Sequence, residues 1–175
     1  MSDIVLIDAQ VVLAPSELHE NLSTILPIKL EQKYIGCNKE YGCVVRLHKI
    51  DNNYTTEIDG NSGNILIYTK CLVERILPEV RKIFKCTVHM IFNHGIFAQI
   101  GENIKILIPK TTMSGYEFLQ SGDDQYPDIP IFKNSRKQPH PDIISKHQKI
   151  DIEIVEVKYN NHRYNCIGKL TNESP

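Results

Sequence analysis

Residues 3–13, DIVLIDAQVVL, are apolar and β-branched with few interruptions, a pattern that predicts a strand. Ala14-Pro15-Ser16 then supplies a turn and a helix N-cap, with Glu17 and Glu20 placed in the first turn. Leu18, Leu22, Ile25 and Leu26 recur at helical spacing and predict one buried face. Pro27 interrupts this helix, because proline lacks a donor and its ring crowds the preceding turn, so a kink or a second helix from Ile28 to Tyr34 is expected. Gly36 is a natural stop. From Gly42 to Ile50, Val44, Val45 and Leu47 stand against Arg46, His48 and Lys49 with a period near two, which predicts another strand. Thr55–Ile58 and Asn64–Leu77 flank the glycine-rich Asp59-Gly-Asn-Ser-Gly63 and predict a hairpin.

Pro78-Glu79 punctuates the chain, and beyond Lys82 the pattern changes to short strands. A boundary near residue 80 therefore divides a domain over 1–80 from one over 81–175. In the second, strands are expected at Lys85–Phe92, Gly95–Ile100, Ile104–Ile108, Ile150–Val157 and Tyr164–Leu170. Five short strands with one long interruption suit a five-stranded OB-fold barrel, so the predicted class is α+β. The interruption, a long loop at about 110–149, contains Pro127, Pro130, Pro139 and Pro141, and no packed element is expected to account for most of it. Its distal part carries Lys133, Arg136, Lys137, Lys146 and Lys149, with His140 and His147, against Asp142. A solvated loop and a nucleic-acid contact both fit that charge.

Alternation along Gly95–Ile100 puts Ile96, Ala98 and Ile100 on one face and Phe97 and Gln99 on the other. The aliphatic face is the core, so Phe97 points outward beside His94, where it forms a platform for an unstacked base. Lys105 and Lys110 lie close enough in sequence to meet phosphates. The competing arrangement covers Phe97 with the N-terminal domain or with the long loop.

Composition narrows the chemistry. The 175 residues contain no apolar run long enough for a membrane span, and MSDIVLIDAQ lacks the basic region and cleavage site of a secretory signal, so an intracellular protein with no membrane contact is expected. The five cysteines form no CxxC pair and no zinc spacing, which predicts reduced thiols and no metal. Net charge is −1, with residues 1–81 carrying 8 basic and 11 acidic groups and the remainder 12 and 10, far from a basic stripe that holds nucleic acid unaided. Phosphate-loop, dinucleotide, nucleophile-elbow and HExxH motifs are all missing, so neither a cofactor nor an enzyme is expected. Asp123-Asp124 reads as a solvated turn, and Asp151 and Glu153 as the wet side of a strand. An enzyme with its catalytic groups at Asp123, Asp124 and His140 is the remaining chemical alternative.

Four blocks, taken in order, resemble a known family: LEQKYIGCNKEYGCVVRL (30–47), TEIDGNSGNILIYTKCLVERILPEV (56–80), HGIFAQIGENIKILIPK (94–110), and DIISKHQKIDIEIVEV (142–157) followed by Cys166-Ile-Gly-Lys-Leu170. They look like the stalk subunit of multisubunit DNA-directed RNA polymerases, the family of the seventh subunit of eukaryotic polymerase II and its archaeal counterpart. The resemblance implies a truncated RNP-like N-terminal domain that docks on the polymerase core, an OB-fold that meets nascent single-stranded RNA, and a smaller stalk partner subunit. It places Gly36, Lys39, Glu40, Tyr41 and Gly42 at the core-docking tip, and His94, Phe97, Lys105, Lys110 and Lys146 on the RNA surface. Where the family often has a glycine-glutamate pair after the boundary proline, this chain has Arg81-Lys82. The implied location is the virion or host cytoplasm for a viral enzyme and the nucleus for a eukaryotic one, and the asparagine-, isoleucine- and lysine-rich coding bias leans toward a large DNA virus. A free-standing OB-fold protein of the RNA-binding or translation type is the alternative.

Overall fold

The computed structural model describes residues 2–17, 21–120, 130–135 and 141–171. The chain divides into two compact units, Ser2–Leu77 and Pro78–Pro175, and it is mostly β.

The first unit contains β1 (Asp3–Leu13), α1 (Leu22–Tyr34), β2 (Gly36–Asn38), β3 (Gly42–Ile50), β4 (Thr55–Ile58) and β5 (Ile65–Ile76). Strand β5 is central: β1 pairs antiparallel along its whole length, while β3 and β4 share its other edge and β2 lies outside β3. Period two holds on β1, where Ile7, Ala9, Val11 and Leu13 are buried and Ile4, Leu6 and Val12 are exposed. The buried face packs with Ile67, Cys71 and Val73 of β5 against Ile25, Leu26 and Leu30 of α1.

Two helix expectations are corrected. Ser16 is not the N-cap. Pro15–Glu17 forms a separate 3-10 turn in which the Glu17 carboxylate accepts from the Ala14 N–H (3.0 Å) and pairs with Lys29 (2.6 Å). The helix instead starts at Leu22, where the Asn21 side chain accepts from the Ser23 N–H at 3.1 Å. Leu18 and Glu20 lie outside the described residues. Nor does Pro27 break the helix: the segment is continuous to Tyr34 because Ile25 and Leu26 before the proline and Leu30 after it enter the same core. That burial outweighs one missing backbone bond.

The second unit is built on a closed barrel of β6 (Ile83–Phe92), β7 (Gly95–Ile100), β8 (Ile104–Pro109), β12 (Lys149–Asn160) and β13 (Arg163–Leu170). Around the barrel the order is β6, β7, β8, β13, β12, with β12 returning to β6 and only β8 and β13 parallel, a topology compatible with an OB-fold. Phe84, Val88, Ile96, Ile106, Ile152 and Ile154 fill its interior. Arg81, just before the barrel, takes φ +73°, a left-handed conformation that costs a residue with a side chain more than it would cost glycine.

The described part of the segment from 110 to 149 adds a small element to the expected loop. It carries a three-stranded antiparallel sheet of β9 (Tyr116–Leu119), β10 (Ile131–Asn134) and β11 (Ile143–Ile144), with β10 in the middle. Phe132 and Ile144 are fully buried, and the Tyr116 hydroxyl donates to the Pro141 carbonyl at 2.6 Å. Burial pushes the Tyr116 phenol up to about 12, so it remains a donor across the ordinary pH range.

Asn160 pairs with Arg163, leaving a two-residue turn in which Asn161 and His162 both have positive φ, 49° and 57°. Such a turn favours glycine at its second position. His162→Gly is expected to stabilise the protein by about 1 kcal/mol and raise the melting temperature by roughly 2–4 °C, measured by calorimetry. A lowered melting temperature would refute this account of the turn.

Candidate nucleic-acid-binding face

Side chains paired across neighbouring strands share a face, so the register maps the outside of the barrel directly. One row runs Lys149, Thr87, Gln99, Lys105, Asn165, Lys158, crossing β12, β6, β7, β8 and β13 and returning to β12. The adjacent row runs Met90, Phe97, Leu107, Ile167. A polar row with lysines therefore borders an apolar row with an aromatic. Lys158 is engaged by Glu156 at 3.0 Å, which leaves Lys105 opposite Gln99 of β7 and Lys149 opposite Thr87 of β6 as the other cations of the row.

Phe97 is 38% exposed and Met90 53%, whereas Ile96 and Ala98 are buried, as alternation predicts. With Lys105, Gln99, Ala98 and His89 they line a shallow cleft of about 180 Å³. The ring of Phe92 lies 5.2 Å from that of Phe97 and tilted to it, which fixes the platform from one side. His94 is exposed in the turn between β6 and β7, and its carbonyl accepts from the Lys110 N–H at 2.8 Å, so these two predicted residues meet at one end of the strands. Lys146 is exposed in the turn after β11; next to it, the His147 N–H donates to the Val88 carbonyl and the Val88 N–H to the Gln148 carbonyl, both at 2.8 Å. The cleft lining thus includes Phe97 and Lys105 but not His94, Lys110 or Lys146.

His89, Met90 and Phe92 are the residues that sequence reasoning missed. The register of β6 against β7 shifts between Val88 and Met90, and the extra residue leaves both His89 and Met90 outside. Strict alternation would have buried Met90. No local residue type announces that bulge.

In the first unit, Gly36, Lys39, Glu40, Tyr41 and Gly42 all fall on the hairpin of β2 and β3. Lys39 and Glu40 are exposed, Tyr41 is half-buried and Gly42 is buried. Gly42 has φ +81°, and a Cβ there would lie 2.8 Å from the Ile76 carbonyl oxygen, so the hairpin presses its backbone onto the end of β5. Tyr41 also lines a cleft of about 730 Å³, together with Tyr34, Asp51 and Thr69.

The cysteine expectation is corrected in part. Cys37 and Cys43 form a disulfide, because pairing of β2 with β3 sets them directly opposite each other. Cys71, Cys86 and Cys166 are free and buried, and burial pushes their thiols up to about 11, 12 and 11. Among the described residues no three His, Cys, Asp or Glu side chains converge to hold a metal ion, and no helix is long and apolar enough to cross a membrane. Asp123, Asp124, Arg136, Lys137 and His140 lie outside the described residues. No protein-family model matches the chain, and no curated protein matches it.

Proposed function

We propose that the chain is a non-catalytic stalk subunit of a DNA-directed RNA polymerase, with an RNP-like first unit that docks on the core and an OB-fold second unit that guides nascent RNA. The observation that carries this reading is the barrel's outer face, where Phe97 beside Phe92 borders the row containing Lys105 and Lys149. Aromatic faces accept any unstacked base at about 1–3 kcal/mol each, and lysines meet the phosphates without reading sequence. A surface with so few cations guides a strand rather than gripping it, which suits RNA already tethered to a polymerase. The four sequence blocks add support, since they occur in the family's order along the two units. On this reading the protein works inside a cell or virion, with a smaller stalk subunit and the polymerase core as partners. A free-standing RNA-binding protein would use the same barrel face but would not need the hairpin at Gly36–Gly42.

Affinity purification of the tagged chain from its native source tests the assignment: the large polymerase subunits are expected in stoichiometric amounts. Their absence, with ribosomes or no partner in their place, would remove it. The RNA face is tested separately by titrating fluorescent single-stranded RNA at several salt concentrations. Phe97→Ala combined with Lys105→Ala is expected to weaken binding about tenfold or more and to flatten the slope of log affinity against log salt by about 0.7. Unchanged affinity would take the platform out of the proposal.

A further inference from the structure

We infer, resting on the RNA-binding reading of the barrel face, that the bulge in β6 builds a notch for a single adenine base and that Gln99 reads its edge. Val88 stands opposite Ala98 and Met90 opposite Phe97, so His89 is the extra residue between two paired positions. The bulge sends His89 and Met90 out together, one on each side of the place where an unbulged strand would alternate. Its other side is held by backbone. The His147 N–H donates to the Val88 carbonyl and the Val88 N–H to the Gln148 carbonyl, both at 2.8 Å, while the Gln148 side chain accepts from the Ser145 N–H at 3.0 Å. The outward turn of His89 and Met90 is therefore part of the ladder and needs no ligand to form it.

Size decides how much of a nucleotide enters. The cleft bounded by His89, Met90, Phe97, Gln99 and Lys105 measures about 180 Å³. Pockets for drug-sized ligands run roughly 300–1,000 Å³, so this one admits one flat ring system and leaves sugar and phosphate outside. Phe97 and Met90, directly opposite each other on neighbouring strands, form an apolar floor with one aromatic face. Gln99 stands two residues along β7 from Phe97 on the same face, a rise of roughly 7 Å. The fused rings of a purine match that reach better than the single ring of a pyrimidine.

The polar groups then choose between the purines. The Gln99 amide offers a donor and an acceptor side by side, which pair with the ring nitrogen and amino group that adenine presents together. Guanine presents two acceptors at the same edge and suits a lysine or an arginine. A lysine is present, since Lys105 stands opposite Gln99 on β8. Lys105 is exposed, however, and Gln99 is half-buried, so the amide is placed against the base and the ammonium toward a phosphate. His89 adds a second polar edge from the bulge.

The test uses the full chain with carbon-13 methionine methyl groups, titrated with AMP, GMP, CMP and UMP in turn. The chain has 3 methionines, of which Met113 is buried and serves as the internal reference. The Met90 methyl resonance is expected to shift with AMP through the ring current of the stacked base, at an affinity about fivefold or more above that for the other three. Gln99→Ala is expected to bring the four affinities within about twofold of one another, and Phe97→Ala to remove the shift. Equal affinities in the natural chain, or a preference for GMP, would overturn the adenine notch and leave the RNA face standing. An AMP preference that survives Gln99→Ala would overturn the role of Gln99. Fluorescent oligoadenylate and oligouridylate of equal length are titrated in parallel, with the tighter binding expected for oligoadenylate. Equal binding of both, weakened by Lys105→Ala and without a Met90 shift from any nucleotide, would overturn the notch and leave a purely electrostatic face. Binding of neither RNA would overturn the RNA-binding reading itself, and the notch with it.

Discussion

Gly95→Ala is expected to destabilise the barrel by roughly 3–5 kcal/mol, the sum of overpacking and an unfavourable backbone. Gly95 opens β7 with φ +152°, facing Phe92 on β6 and Pro109 on β8. A Cβ at this position would be driven into the Ile108 carbonyl oxygen and to 3.1 Å from Pro109 Cα. Both are backbone atoms of a barrel strand, so neither can swing aside as a side-chain tip could. Gly101→Ala is the matched control. Gly101 also has positive φ, +58°, but nothing lies within 4 Å of its added carbon, so about 1 kcal/mol is expected for conformation alone. Urea unfolding followed by far-UV circular dichroism separates the two. Equal losses would mean that close strand approach does not explain the glycine. Because Gly95 lies between His94 and Phe97, partial accommodation should also disturb the candidate RNA-binding face, and on the proposed function this is expected as weaker RNA binding by whatever Gly95→Ala protein remains folded.

The same turn shows what could be read from sequence and what could not. Alternation along Gly95–Ile100 placed Ile96 and Ala98 inside and Phe97 outside because a strand has a strict period of two and the barrel interior accepts only apolar groups. The strands Asp3–Leu13 and Gly42–Ile50 were legible with their full bounds for the same reason, each being long and flanked by turn residues. Three features were not. Pro27 signalled a break, but a local signal cannot weigh the core contacts made on both sides of it. The bulge at Val88–Met90 depends on how β6 meets its neighbours, so the exposure of Met90 has no signature within its own strand. The Cys37–Cys43 bond arises from a three-residue strand too short to show any periodicity, and reasoning from compartment alone pointed to thiols. For the candidate site, the aromatic and Lys105 were found through alternation, whereas Phe92 and His89 needed the third dimension.

Phe132→Ala is expected to cost about 3–5 kcal/mol, with the loss confined to the sheet of β9, β10 and β11. Phe132 is fully buried, its ring 5.6 Å from that of Phe118 in an edge-on arrangement, and it stands opposite both Phe118 on β9 and Ile144 on β11. Strands of 4, 4 and 2 residues supply few ladder bonds, so side-chain burial must hold them together. Removing the ring takes away a large buried group placed opposite both neighbours. Among the described residues no strand of this sheet pairs with a barrel strand, so the sheet can open while the barrel ladder stays closed. Hydrogen exchange is therefore expected to accelerate at Tyr116–Leu119 and Ile131–Asn134 in the variant, while Ile104–Pro109 and Ile150–Ile154 remain protected. Uniform protection in the variant would show that this segment is held by something other than Phe132. Acceleration across the barrel strands as well would show that sheet and barrel unfold as one cooperative body. The local outcome would make the sheet of β9, β10 and β11 a small folded element with its own core, able to present Lys133 of β10 and Lys146 of the turn after β11 from a fixed surface.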